Sequence, residues 1–383
     1  MLPLPLILGA VHAAANIVVV ANDAAFDAVR GSNLDYGVPL GRQGNNHPER
    51  RRNLLIATLI DNVEGAASAA NLDCARAVHS PGFVRFCETA HARWQTELHS
   101  DESYLLPGGD PDLPALVPFH CTKSLEPRCR GLAAEFACYM SDFETPLLAT
   151  TASVLRDDLG VVAACVDRLV RDDSGICYAL TTHPGHHAGP SYMSGFCYLN
   201  NACIASALLQ AAGLRVALLD VDFHGGNGSL DCASKLGLWF RSLHCKGAYP
   251  WVDMASQGIE LAPGTGWVTG FATALRAALA AMPASTSALV VSLGFDTLAT
   301  DPEAGKRDGV GLALTPDDFI AMGAVLGSAC PRVLIVQEGG YDLSEDGVAR
   351  AAAALVAGVS TAPDEERCVY SCRAVVLKVV IVT

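Results

Sequence analysis

Positive charge is scarce in this chain of 383 residues: 26 Lys and Arg stand against 40 Asp and Glu, a formal net charge of −14. Gripping a phosphate backbone needs a basic surface, so direct nucleic-acid binding is not expected. A negative surface concentrates cations instead, which favours a small cationic substrate. Long apolar runs are also missing. The apolar tail at 375–382 is far too short to cross a bilayer as a helix, so no membrane partner is expected. The 14 cysteines include no Cys-x-x-Cys pair. Cys165, Cys177, Cys203 and Cys330 lie in apolar segments, where a free thiol behaves as a small buried hydrophobe. A reducing, cytoplasmic setting follows. The stretch 1–15 is apolar and ends in small residues, yet it has two prolines and no basic leading region. It departs from a secretory signal while leaving export or organelle targeting open.

What is present is a large apolar fraction, 51% against 17% charged, enough for a sizeable core. The 35 Gly and 20 Pro are spread along the chain rather than gathered into a linker. One catalytic-size domain at 17–360 is expected, with an apolar extension at 1–16 and a tail at 361–383. Short apolar runs at 17–21, 216–220, 288–292 and 333–337 lack alternation and read as strands buried on both faces. Ala-rich stretches at 54–70, 151–170, 201–212 and 269–281 carry helical periodicity. Alternating strands and helices predict an α/β domain with a mostly parallel sheet and helices on both faces. The Pro-rich segment at 95–130 fits neither pattern and reads as a functional loop.

In such sheets ligands bind beyond the carboxyl ends of the strands, and the residues there carry chemistry. The run at 216–220 leads into Asp220-Val221-Asp222-Phe223-His224 and then a Gly-rich turn. In extended chain, residues two apart share a face, so these three would crowd two carboxylates and an imidazole together. A divalent metal relieves that crowding, and Asp with His is a normal zinc set. The run at 288–292 delivers Asp296, a third ligand that leaves a coordination position open for catalysis. His186 and His187 follow a Pro-Gly turn and suit general acid–base work near neutrality. Gly339 and Gly340 let backbone approach a ligand and expose Tyr341, whose phenol can donate to a developing oxyanion. Each motif alone has a plain structural reading: a capped strand end, a surface loop, a turn tyrosine. Their joint occurrence points to a metal-dependent hydrolase.

Pro184-Gly185-His186-His187-Ala188, Gly195-Phe196-Cys197-Tyr198-Leu199-Asn200-Asn201, Asp220-Val221-Asp222-Phe223-His224 and Glu338-Gly339-Gly340-Tyr341, in this order, resemble the histone deacetylase superfamily. His47-Pro48-Glu49-Arg50 and Val78-His79-Ser80-Pro81 are weaker matches, and the resemblance runs from 17 to 359. Val290-Val291-Ser292-Leu293-Gly294-Phe295-Asp296-Thr297 and Leu314-Thr315-Pro316-Asp317-Asp318 look most like its acetylpolyamine amidohydrolases. The resemblance implies a three-layer arginase/deacetylase-like fold and zinc on Asp222, His224 and Asp296. His187 would serve as base and then acid, oriented by Asn227, while His186 on Asp220 stays cationic. Gly195, Phe196 and Tyr249, with Gly340, would line the substrate tunnel. A structural potassium is implied at Asp220, Asp222, His224, Ser242 and Leu243, and a homodimer through the long loop. One departure stands out: Gly225 occupies the place of a second histidine. The substrate is then an acetylated amine, an acetylpolyamine before an acetyl-lysine of a protein. A two-manganese ureohydrolase lacks its second ligand set here, and a non-catalytic binding homologue remains the alternative outside enzymes.

Overall fold

The computed structural model describes residues 17–22, 48–59, 61, 63–66, 69–97, 132–142, 145, 147–172, 174–307, 311–344 and 346–361. Among them, one sheet is built from β1 (Ile17–Asn22), β2 (Val63–Ala66), β3 (Gly175–Ala179), β4 (Val216–Asp220), β5 (Trp239–Cys245), β6 (Gly258–Leu261), β7 (Ala288–Leu293) and β8 (Arg332–Gln337). Its order is β2-β1-β3-β8-β7-β4-β5-β6, and every adjacent pair is parallel.

The described helices are α1 (Pro48–Thr58), α2 (Pro81–Glu97), α3 (Leu132–Tyr139), α4 (Thr151–Arg171), α5 (Asn201–Ala211), α6 (Asn227–Leu236), α7 (Ala272–Ala280), α8 (Pro302–Arg307), α9 (Asp318–Ser328) and α10 (Val348–Thr361). Two apolar clusters flank the sheet. Val20, Ala179, Leu218, Val290 and Val336 pack with Phe83, Leu159 and Ile204. Val19, Tyr178, Leu219, Val291 and Ile335 pack with Ile56, Leu275, Phe319 and Leu355. Successive residues of a strand therefore enter opposite layers, and both layers are apolar. This is why the runs show no alternation in sequence.

Register places the site. Ala179 pairs with Val336, Val336 with Ser292, Ser292 with Asp220, and Asp220 with Ser242. The central strands thus end level with one another, and the loops that follow them open on one edge of the sheet.

Some expectations need correction. The helix expected over 54–70 stops at Thr58, and Val63–Ala66 adds an edge strand to β1 instead. The helix expected from 269 begins at Ala272, after a turn at Trp267–Phe271 in which Gly270 has non-helical backbone. Nine of the described cysteines are free thiols, whereas Cys138 is disulfide-bonded, so the set is not wholly reduced. The extension at 1–16, most of the Pro-rich loop and the tail beyond 361 lie outside the described residues. No helix among the described residues is long and apolar enough to cross a membrane.

Candidate active site

β4 ends at Asp220, so the shared face of extended chain does not reach Asp222 and His224. A turn brings them in. Asp222 N–H donates to Asp220 Oδ1 at 3.0 Å, Phe223 N–H to Asp296 Oδ1 at 3.2 Å, and His224 N–H to Asp222 Oδ1 at 2.9 Å. Asp222, His224 and Asp296 then each offer a ligand atom within 4.8 Å of the others. His224 Nδ1 stands 3.3 Å from Asp222 Oδ1 and 3.1 Å from Asp296 Oδ2. Both carboxylates are fully buried, and Asp296 Oδ2 accepts no hydrogen bond, His224 Nδ1 approaching it without the geometry of one. Burial and the neighbouring Asp222 charge push the Asp296 carboxyl up to about 7. Two buried carboxylates with an oxygen left unsatisfied are costly unless a cation joins them. The donors are hard oxygens with one imidazole, which suits zinc.

Backbone crowding keeps this floor clear. A Cβ on Gly294 would lie 2.0 Å from Asp222 Oδ2, and one on Gly339 would lie 2.4 Å from Asp296 Oδ2. Only glycine fits at either point. A second triplet, His186, Cys197 and Glu338, also converges. It is the poorer metal set. Both ring nitrogens of His186 already face carboxylates, Nδ1 with Asp220 Oδ2 at 3.0 Å and Nε2 with Asp222 Oδ1 at 3.6 Å. Glu338 Oε2 accepts from the N–H groups of Gly185 and His186, at 2.5 and 3.1 Å, while its Oε1 is buried without a partner.

The tandem histidines sit over the floor. His186 Nδ1 lies 3.0 Å from Asp220 Oδ2, and its Nε2 lies 3.6 Å from Asp222 Oδ1. His187 Nδ1 lies 2.7 Å from Asn227 Oδ1. An amide oxygen only accepts, so His187 carries its proton on Nδ1 and keeps the Nε2 lone pair as the base. Burial lowers the proton affinity of both rings. At His186 the Asp222 and Asp220 carboxylates override burial and carry it up to about 10. At His187, repulsion from His186 and His224 adds to burial and holds it well below its ordinary 6.5.

The cleft above, about 480 Å³ with its open mouth, is bounded by Gly195, Phe196, Tyr249 and Tyr341. Tyr249 meets His187 edge to face at 4.8 Å, and its hydroxyl bonds Ser194. Phe196 faces Tyr341 at 6.4 Å across the cleft. Tyr341 is held from behind: its N–H donates to Asp301 Oδ2 at 2.7 Å, and the Arg51 guanidinium lies 5.7 Å from its ring. Burial keeps its phenol protonated, far above the ordinary range, so it donates a hydrogen bond. Gly340 stands between Gly339 and Tyr341 of the cleft lining, and its carbonyl accepts from buried Arg51 at 3.4 Å. Asp220, Ser242 and Leu243 are fully buried beneath the floor, with Asp220 and Ser242 in register across β4 and β5. At Gly225 a Cβ would meet His244 Cδ2 and Met254 Sδ at an ordinary 3.5 Å.

Several residues of the site carry no motif. Asp142 and Glu303 line the cleft, and Asp142 also accepts from Gly195 N–H and Thr145. Asp158 on α4 accepts from the N–H groups of Thr182 and His183, which anchors the histidine loop. His79, by contrast, belongs to the weaker motif Val78-His79-Ser80-Pro81; it accepts from Asn200 N–H at 2.9 Å and contacts Gly189 O at 2.9 Å. Isolated acids in loops and helices give no local signal; only the folded topology gathers them.

The histone deacetylase domain model matches residues 47–359. Acetylpolyamine amidohydrolase 2 of Pseudomonas aeruginosa is 33% identical over 294 residues, covering 72% of this chain and 80% of that protein. The acetylpolyamine amidohydrolase of Mycoplana ramosa is 29% identical, covering 71% and 79%. Among solved structures, an acetylpolyamine aminohydrolase from Burkholderia pseudomallei aligns with a TM-score of 0.64 at 25% identity, over 82% of this chain and 90% of that one.

Proposed function

Because this chain belongs to the histone deacetylase domain family, we propose that it is a zinc-dependent amidohydrolase that removes acetyl groups from acetylated amines, acetylpolyamines above all. The observation that carries this reading is one cleft holding a buried Asp-His-Asp triplet, a neutral imidazole and a protonated phenol. The relatives named above as acetylpolyamine amidohydrolases support the substrate class. So do Asp142 and Glu303 in the cleft lining, since carboxylates there complement an ammonium-bearing chain.

Asp222, His224 and Asp296 would hold zinc, which would supply Lewis acidity toward the acetyl carbonyl and a lowered pKa for the attacking water. The remaining work belongs to the chain. His187 Nε2 accepts the water's proton as the carbonyl carbon is attacked, and Asn227 fixes the ring for that transfer. Tyr341 donates to the oxyanion that develops on the former carbonyl oxygen. His187 then returns the proton to the amine nitrogen, the C–N bond breaks, and acetate and free amine leave. His186, cationic over Asp220, adds positive potential beside the developing negative charge. Phe196 and Tyr249 exclude water from the reacting atoms.

A potassium ion near Asp220, Asp222, His224, Ser242 and Leu243 belongs to the same proposal, supported by the burial of the Asp220 carboxylate and Ser242 hydroxyl together. A homodimer does as well, through the segment outside the described residues. The test is a panel of acetylputrescine, acetylspermidine and an acetyl-lysine peptide on zinc-loaded protein, with His187→Ala as control. Acetate release from the polyamines, lost in the control, is the expected result. Preference for the peptide would make this a protein deacetylase, and no release from any substrate would sink the catalytic reading.

A further inference from the structure

Among the described residues, non-glycine positions with positive φ are Phe196 (66°), Trp251 (55°) and Ala255 (50°). A left-handed backbone is disfavoured for bulky side chains, and such strain gathers at ligand clamps. Phe196 uses it to set its ring in the cleft wall. Trp251 uses it two residues beyond Tyr249, another wall residue. The Trp251 and Tyr249 rings meet edge to face, with centroids 5.3 Å apart and planes at 84°. Tyr249 meets His187 in the same manner at 4.8 Å. Three rings in series therefore lead from the reacting centre to solvent.

The last of them is 70% exposed, and Val252 beside it is 51% exposed. An indole so placed contributes little to the core, yet the backbone holds it in a conformation that a smaller turn residue would adopt at less cost. Carboxylates are present on this side of the molecule: Asp142 and Glu303 line the cleft that Tyr249 also lines, and Asp253 is an exposed carboxylate two residues beyond Trp251.

We propose that Trp251 is a specificity-determining residue whose indole face receives the ammonium end of the substrate as its chain leaves the cleft. This rests on the acetylated-amine reading above. Trp offers the best face of any side chain for a cation, and the nearby carboxylates favour the same charge. The acetyl group enters past Phe196 and Tyr249, so a chain of a few carbons carries the opposite end outward past Tyr249 toward the indole.

Acetylputrescine and N-butylacetamide share the acetyl amide and the four-carbon chain and differ in the terminal ammonium. Steady-state kinetics of wild type, Trp251→Ala and Trp251→Phe on this pair test the proposal. A cation–π contact at an exposed position corresponds to a roughly two- to fivefold change in affinity. Trp251→Ala is expected to raise KM for acetylputrescine by that factor, leave kcat within about twofold, and leave N-butylacetamide unchanged, with Trp251→Phe between the two. An equal change for both substrates, or none for either, would overturn the role of Trp251 while the deacetylase reading stands. Wild-type protein that prefers N-butylacetamide to acetylputrescine would overturn the cationic-substrate reading, and this inference with it.

Discussion

His186 and His187 are adjacent in sequence and buried to nearly the same degree, with ring centroids 4.0 Å apart and planes tilted at 40°. Their proton affinities nonetheless move in opposite directions. Burial pushes both down, so burial cannot be the cause of the difference. The partners are: His186 has a carboxylate at Nδ1 and another near Nε2, while His187 has only an amide oxygen at Nδ1. A carboxylate stabilises an imidazolium; an amide orients the ring and supplies no full charge. One ring is thereby kept as a fixed cation and the other as a neutral base, within a single Pro-Gly turn. Two histidines with two carboxylate partners would both be charged, and neither could accept a proton.

That contrast breaks most sharply by deleting each ring. His187→Ala is expected to lower kcat/KM by about three to four orders of magnitude, the upper range for loss of a positioned base. His186→Ala should cost less, because it removes electrostatic support rather than the proton acceptor. Equal losses, measured as acetate release at saturating zinc, would show that the two rings are not differentiated. Tyr341→Phe ranks next, at about two orders of magnitude, the usual loss for one oxyanion donor. Near-normal turnover in that variant would remove Tyr341 from the chemistry.

Exchanging the partner of His187 tests the cause directly. Asn227→Asp places a carboxylate at Nδ1 and should raise the proton affinity of His187 by about one to three pH units. The base must be neutral to act, and its affinity in the wild type lies well below 6.5. The acid limb of the kcat/KM profile should therefore lie below pH 6.5 in the wild type and move upward in Asn227→Asp. Activity at pH 7 would fall only once the raised value passes 7, by about tenfold where it stands one unit above. An unmoved limb would mean that the hydrogen-bond partner does not set the charge of His187.

Much of this site is legible because its candidate ligands follow apolar strands. Asp222, His224 and Asp296 trail β4 and β7, and Glu338 to Tyr341 trail β8, so an apolar run followed by polar residues marks each. The level strand ends bring those trails together. The edges of the sheet were less visible. β5 interleaves Arg241 and His244 with apolar residues, and β6 spans only Gly258–Leu261. Val63–Ala66 is too short and too small in side chains to announce a strand within an Ala-rich stretch, so helical periodicity carried past the true end at Thr58. Asp158, Asp142 and Glu303 act across 24 or more residues or from loops, where no local pattern forms.

The smallest expected effect concerns the third imidazole, His224, and the glycine after it. A histidine was expected at 225, and its absence raised doubt about how well the metal set is supported. The structure answers in part: a Cβ at 225 would meet His244 and Met254 at 3.5 Å, ordinary contact distances, and Gly225 has no left-handed φ to forbid a side chain. The glycine is therefore not required by space or by backbone, unlike Gly294, where a Cβ would collide with Asp222. His224 also owes its placement to Asp222 and Asp296 rather than to its follower. Gly225→Ala should accordingly leave kcat/KM and zinc affinity close to those of the wild type, since Gly225, though buried, has room for a methyl group at ordinary contact distance. A loss of zinc affinity beyond about tenfold, read by competition with a chelator, would mean that residue 225 supports the metal after all, and that this chain holds its zinc less tightly than one with a histidine there.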